Sequence, residues 1–303
     1  MAIQTKTIKQ KMNSIGNIKK ITKTMEMVSV SKMKRAVSNS ISSREYSRYA
    51  LELLVTLAKE RNVSHPLLEK GAGKKILLVI VASNKGLCGG YNVNISKSVS
   101  KFKSTLEDEE IDCITIGKQA ERIANRNKLN IIASISEFKE NITLDEIEIL
   151  KKIIFKEFLE LKNYKSVYAV YTQFVKQLEY KPNVREIIPV SLKTTRNLIE
   201  EIAEGREEER FDKRSMALYL FEPSEERVLD KVIPDLISAI FLQIMLEAQA
   251  SEHSSRMIAM KNATDNAGEL LEDLSLTYNR ARQAGITQEV AEIIGGAEAL
   301  NTN

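Results

Sequence analysis

The residues best suited to chemistry lie in Ser83–Asn92, SNKGLCGGYN. This segment follows the apolar run Ile76–Ala82 and precedes a helix-like stretch. In that setting a glycine-rich turn can cradle a phosphate on a helix N-terminus. The spacing of Gly86, Gly89 and Gly90 fits neither G-x-G-x-x-G nor G-x-x-x-x-G-K-[ST], so a tight strand-to-helix turn is the simpler reading. Cys88 carries a nucleophilic atom, but the chain offers only His65 and His253 as imidazole bases for it. These histidines are far apart and neither has a second ligand at i+3 or i+4, so no metal site is expected. Glu200, Glu201, Glu204, Glu207, Glu208 and Glu209 lack the ligand spacing of a calcium loop and read as a solvated surface excursion. The residues thus predict no catalytic constellation, no cofactor and no metal.

Proline placement divides the chain into its elements. Pro66, Pro182, Pro189, Pro223 and Pro234 all fall in the middle, while residues 1–65 and 235–303 have none. A proline inside a helix costs about 3 kcal/mol, so the two flanks predict long helices. In the first flank Ile8, Met12, Ile15, Ile18, Ile21, Met25 and Val28 recur at helical spacing, close to a coiled-coil seam. In the second, Asp235 is the expected N-cap after Pro234. A stripe then runs through Leu236, Ile237, Ile240, Phe241, Ile244, Met245 and Ala248. Met257, Met260, Ala263, Ala267, Leu270, Leu274, Tyr278 and Ala281 continue it. The expected organisation is an N-terminal coiled-coil helix over 1–65, a central α/β domain over 66–234 and a C-terminal coiled-coil helix over 235–303. The central domain alternates short β-rich runs (Ile76–Ala82, Ile111–Ile116, Ile131–Ile135 and Val167–Tyr171) with helix-like stretches, the pattern of a parallel sheet with crossover helices. Met216–Phe221 reads as a last strand.

Charge narrows the partners. The whole chain is mildly basic, with a net charge of +4. Residues 1–60, however, hold twelve basic side chains against four acidic ones. A helix so basic suits an anionic partner: nucleic acid, a lipid surface or an acidic protein cavity. Nucleic acid is disfavoured because no aromatic residue for base stacking precedes Tyr46. The two cysteines, Cys88 and Cys113, argue for a reducing compartment. The longest apolar run is far short of the ~20 residues of a membrane span, and the start lacks the core of a secretory signal. A soluble, cytoplasmic-type protein is expected. Two classes of function remain from the residues alone: a helical pairing device, or a nucleotide-binding α/β protein with helical arms.

Three segments carry a resemblance. Ile21–Ala36 (ITKTMEMVSVSKMKRA) is similar to the N-terminal signature of the gamma subunit of F-type, proton-translocating ATP synthases. Gly86–Asn92 resembles that family's central-domain turn, and Glu252–Leu300 its C-terminal signature. The resemblance implies a central rotor shaft, non-catalytic itself, whose terminal helices form an antiparallel left-handed coiled coil. The implied partners are three alpha and three beta subunits, the epsilon subunit and the c-ring, with membrane contact only through the c-ring. Attachment to the cytoplasmic face of a bacterial cell membrane follows. By the same resemblance Met25, Arg256, Arg282, Gln283 and Thr287 match positions that touch the ring or couple rotation. Lys23 is matched to acidic groups on the beta subunits. The chain lacks the cysteine pair that chloroplast members carry in the central domain, so thiol regulation of that kind is not expected.

Overall fold

The computed structural model describes residues 2–60, 65–106, 109–135, 142–190 and 225–301. In chain order the elements are α1 (Ala2–Glu60), β1 (Lys75–Val81), α2 (Tyr91–Ser104), β2 (Ile111–Ile116), α3 (Lys118–Arg126), β3 (Asn130–Ile135), α4 (Leu144–Phe155), β4 (Tyr164–Lys176), β5 (Glu179–Ile188) and α5 (Glu225–Asn301). A π-helical turn, Lys156–Glu160, extends α4. The chain divides into two compact units, residues 31–255 and residues 1–30 with 256–303. These boundaries cut both long helices, whereas proline placement set them at 65 and 234.

The larger unit is built on a five-stranded sheet of order β3-β2-β1-β4-β5. The β1–β2, β2–β3 and β1–β4 pairs are parallel, and β4–β5 is antiparallel. Every residue of β2, and all of β1 after its first, is buried, which is why both read as continuous apolar runs rather than alternating ones. One face of the sheet (Leu77, Val79, Ile114, Val167, Tyr171) packs with Ile147, Leu150 and Ile154 of α4 and with Ile233, Ile237, Phe241 and Ile244 of α5. The other (Ile76, Leu78, Ile80, Cys113, Val170) is covered by Tyr91, Ile95 and Val99 of α2 and by Ala120, Ile123 and Ala124 of α3. Two tightly filled layers thus fix the ends of β1 and β4, where the loops of interest begin. Thr143 starts α4 with a capping box closed by Glu146, which satisfies two orphan backbone donors.

Three sequence expectations change here. Asp235 is not an N-cap: α5 begins at Glu225 and carries Pro234 inside it. The hydrogen bond lost at proline is offset by burial of Leu229, Ile233, Leu236 and Ile237 on the same stretch. The sheet is mixed, because β5 adds an antiparallel edge. That strand escapes apolar-run reading: it is polar and carries Pro182, which an edge strand tolerates. The expected strand Met216–Phe221 and the acidic run at 200–209 lie outside the described residues.

The smaller unit is an antiparallel helix pair. Thr22 of α1 meets Thr264 of α5, and Lys19, three residues earlier, lies beside Gly268, four residues later. Its inward positions on α5 are Met257, Met260, Thr264, Ala267, Leu271, Leu274, Tyr278 and Ala281, a strict alternation of three and four. A 3.5-residue repeat of this kind winds a helix pair left-handed. On α1 they are Ile8, Met12, Ile15, Thr22, Glu26 and Ser29, with Lys19 in line. The third correction follows. Ile18, Ile21 and Val28 on α1, and Leu270 on α5, belong to the apolar stripe of the sequence but are exposed, and Ala263 cedes its seam place to Thr264.

Candidate functional site

The turn after β1 sits where the strand order reverses, with β2 on one side of β1 and β4 on the other. In doubly wound sheets this crevice is the usual ligand site. Here its polar groups are spent on the fold. The Ser83 amide donates to Asn92 Oδ1 (3.3 Å), and the Ser83 hydroxyl donates to the Lys85 carbonyl (2.8 Å). Asn92 Nδ2 donates to the Ser83 hydroxyl (2.8 Å) and reaches Cys88 Sγ (3.2 Å). The Tyr91 amide, at the start of α2, donates back to the Cys88 carbonyl (3.2 Å). Two residues take left-handed backbone to close so tight a loop, Leu87 (φ 61°) and Gly89 (φ 54°).

Residues 248–255 of α5 occupy the same crevice. Tyr91 OH donates to the Ala248 carbonyl (3.2 Å), and the Ser251 hydroxyl donates to the Thr172 carbonyl at the end of β4 (3.1 Å). Ser255 donates to the Cys88 carbonyl (2.6 Å) and accepts from Tyr180 OH (2.9 Å), while Ser254 donates to the Gln177 carbonyl. A phosphate cradle needs helix N-terminal amides facing open space. This turn instead faces a helix that pins it to the β4–β5 hairpin, so its geometry is that of a structural joint. Those serines escape the sequence reading. The one signal for them is a run of small hydroxyl residues in a long helix, where serine has no propensity advantage.

A second polar cluster lies at the opposite end of the strands. Asp112, buried, accepts from Asn130 Nδ2 (2.9 Å) and Tyr164 OH (2.9 Å) and lies 3.5 Å from Lys75 Nζ. Burial, reinforced by the Asp112 charge, pushes the Cys113 thiol up to about 12. Burial and then the Asp112 hydrogen bond raise the Tyr164 hydroxyl further. A thiol held protonated is a poor nucleophile, and Cys113 is an apolar core residue here.

The positions matched by resemblance all fall in the smaller unit. Lys23, exposed, pairs with Glu26 on its own helix at 3.0 Å. Met25 is half-buried, and its carbonyl accepts from Ser29 (2.7 Å). Arg256 is buried, whereas Arg282, Gln283 and Thr287 are exposed, with the Thr287 hydroxyl donating to the Gln283 carbonyl (3.0 Å). The Thr22–Thr264 pairing sets Lys23, Met25 and Arg256 within a few turns of one another. Arg282 lies eighteen residues beyond Thr264, about 27 Å along the helix. The structure therefore forms two groups from these residues rather than one site. Charge differs between the two helices as well. Residues 1–30 carry six exposed lysines against one acid, and residues 256–300 carry four basic against seven acidic side chains.

A mostly parallel α/β domain joined in one chain to an antiparallel coiled coil defines a stalk-type structural subunit. The comparisons with known proteins agree. The ATP synthase family matches residues 4–300. The ATP synthase gamma chain of Geotalea uraniireducens is 36% identical over 304 residues, covering 97% of this chain and 98% of its own. That of Roseiflexus castenholzii is 35% identical, covering 98% of each. The fold is also similar to a chain of the Euglena gracilis mitochondrial ATP synthase (OSCP/F1/c-ring), with a TM-score of 0.67 at 18% identity, covering 99% of this chain and 95% of that one. The chain belongs to the ATP synthase gamma-chain family.

Proposed function

We infer that this chain is the central rotor shaft of an F-type ATP synthase, turning within a ring of three alpha and three beta subunits. Ion flow through the membrane sector drives the rotation, which cycles the catalytic beta subunits through their open and closed states. The epsilon subunit and the c-ring are its other partners, and the complex sits on the cytoplasmic face of a bacterial membrane. The observation that carries this reading is the unlike charge of the two paired helices. A shaft biases a partner only by touching its states differently, so its sides must differ around the axis. A basic helix against an acidic one, with no symmetry between them, meets that requirement.

Nothing in this role asks the chain to do chemistry, which agrees with a crevice filled by its own helix. Lys23, Met25 and Arg256 would act toward one end of the pair, and Arg282, Gln283 and Thr287 toward the other. The test is Lys23→Glu in the reconstituted complex. Coupled ATP synthesis should fall severalfold, with assembly and thermal stability retained, because an exposed i,i+3 pair contributes only a few tenths of a kcal/mol to the fold. Unchanged ATP-driven proton pumping would remove Lys23 from the mechanism.

A further inference from the structure

His65 lies where three parts of the larger unit meet, and only 12% of its side chain is exposed. The Leu67 amide donates to His65 Nδ1 at 3.1 Å, and the Leu68 amide donates to the His65 carbonyl at 2.9 Å, closing a tight turn. Leu67 is buried in the same core as Val190, Leu229 and Ile233. Its carbonyl accepts from the Val190 amide at 2.9 Å, just past the end of β5. At the other ring nitrogen, His65 Nε2 lies 3.4 Å from Asp230 Oδ1, near the start of α5. One imidazole thus ties the chain between α1 and β1 to both β5 and α5.

A nitrogen that accepts carries no proton, so the neutral ring holds its proton on Nε2. Protonation turns Nδ1 into a donor as well. Two N–H groups then face one another, and the Leu67 amide loses its acceptor. We propose that neutral His65 is an acid-releasable fastener, which holds the 65–68 turn against β5 and α5 and lets it open once Nδ1 is protonated. Burial disfavours the charged ring and holds its pKa below the usual imidazole value, while Asp230 acts in the opposite direction. Burial prevails because Nε2 faces Asp230 as an N–H in both states, so protonation adds only a charge attraction. The Asp230 side chain is 71% exposed, where water and salt screen that attraction. Arg227 and Lys231 flank Asp230 on α5, and Glu69 and Lys70 follow the turn; all four are exposed. Ile187, Ile188, Pro189 and Val190, at the end of β5, carry no charge. A folded-state pKa below the ordinary 6.5 gives stability that is complete above 6.5 and lost as pH falls through the folded value. Every contact involved lies within the larger unit, so the fastener does not depend on the rotor reading.

The test is amide hydrogen exchange on the full chain at pH 7.5 and 5.5, read by mass spectrometry in peptides covering residues 66–71. Rates are corrected for the intrinsic pH dependence of exchange. In the native chain, protection of the Leu67 and Leu68 amides should fall about three- to tenfold at the lower pH. The upper bound is set by one pH unit below an imidazole pKa of 6.5. His65→Asn keeps an acceptor for the amide two residues on and cannot titrate, so its protection should be equal at the two values. Native protection that stays level at pH 5.5 overturns the proposal, and so does a rise, which would mean that the Asp230 ion pair prevails. An equal fall in His65→Asn overturns it too, because another group would then be titrating. Should that variant fail to fold, exchange of the imidazole C2 proton gives the His65 midpoint in the native chain. A midpoint below 6.5 supports the fastener, and one at or above 6.5 overturns it.

Discussion

At the residue scale, one glycine sets how closely the sheet can be wound. Gly117 follows β2 with a φ of 92°, and its amide donates to the Ile135 carbonyl at 2.9 Å. A Cβ there would lie 2.2 Å from the carbonyl oxygen of Ala82, at the end of β1. The left-handed backbone and the backbone collision act together, and neither has a flexible side chain to relieve it. Gly117→Ala should therefore destabilise the chain by about 2–4 kcal/mol, measured by urea unfolding. A loss below half a kcal/mol would mean that the β1–β2 ends can separate without cost.

At the element scale, the joint between α5 and the turn after β1 rests on side chains that look ordinary in sequence. Ser255 alone links the Cys88 carbonyl and Tyr180 OH. Replacing it with valine removes both hydrogen bonds, each contributing about 0.5–1.5 kcal/mol, while the Cys88 carbonyl keeps the Tyr91 amide. Ser255→Val should lower the melting temperature by several degrees and speed proteolytic cleavage in the turn around Gly86 and Leu87, both exposed. An unchanged cleavage pattern would show the turn to be held by its own Ser83–Asn92 network instead. The sheet gives the complementary lesson. β1 and β2 are readable as apolar runs because helices cover both faces, while β5 is hidden by Pro182 and its charges, features that suit an unpaired edge.

At the scale of the whole molecule, function is distributed along a helix pair rather than gathered in a pocket. Loss of the end of α5 should then separate coupling from assembly. Removing residues 285–303 leaves the seam from Met257 to Ala281 in place. Such a chain should still enter the complex while ATP synthesis falls more steeply than hydrolysis. Complete failure to assemble would show that the tail seats the subunit and does not merely transmit torque.

Periodicity by itself determined that both ends are helical and paired, because a 3–4 spacing of apolar side chains is a one-dimensional property of the chain. The motifs at Ile21–Ala36, Gly86–Asn92 and Glu252–Leu300 determined the family. Sequence could not decide which of two adjacent stripes on α1 would face α5. Hydrophobicity favoured Ile18, Ile21, Met25 and Val28, yet the structure seats Thr22, Glu26 and Ser29 inward. That choice continues the seam of Ile8, Met12 and Ile15, in which Thr22 meets Thr264, more than 240 residues away in the chain. The crevice at the end of β1 is the same case. Its glycines looked able to hold a phosphate, and only tertiary structure placed Ala248–Ser255 across it, since contacts between residues so far apart leave no local spacing to read.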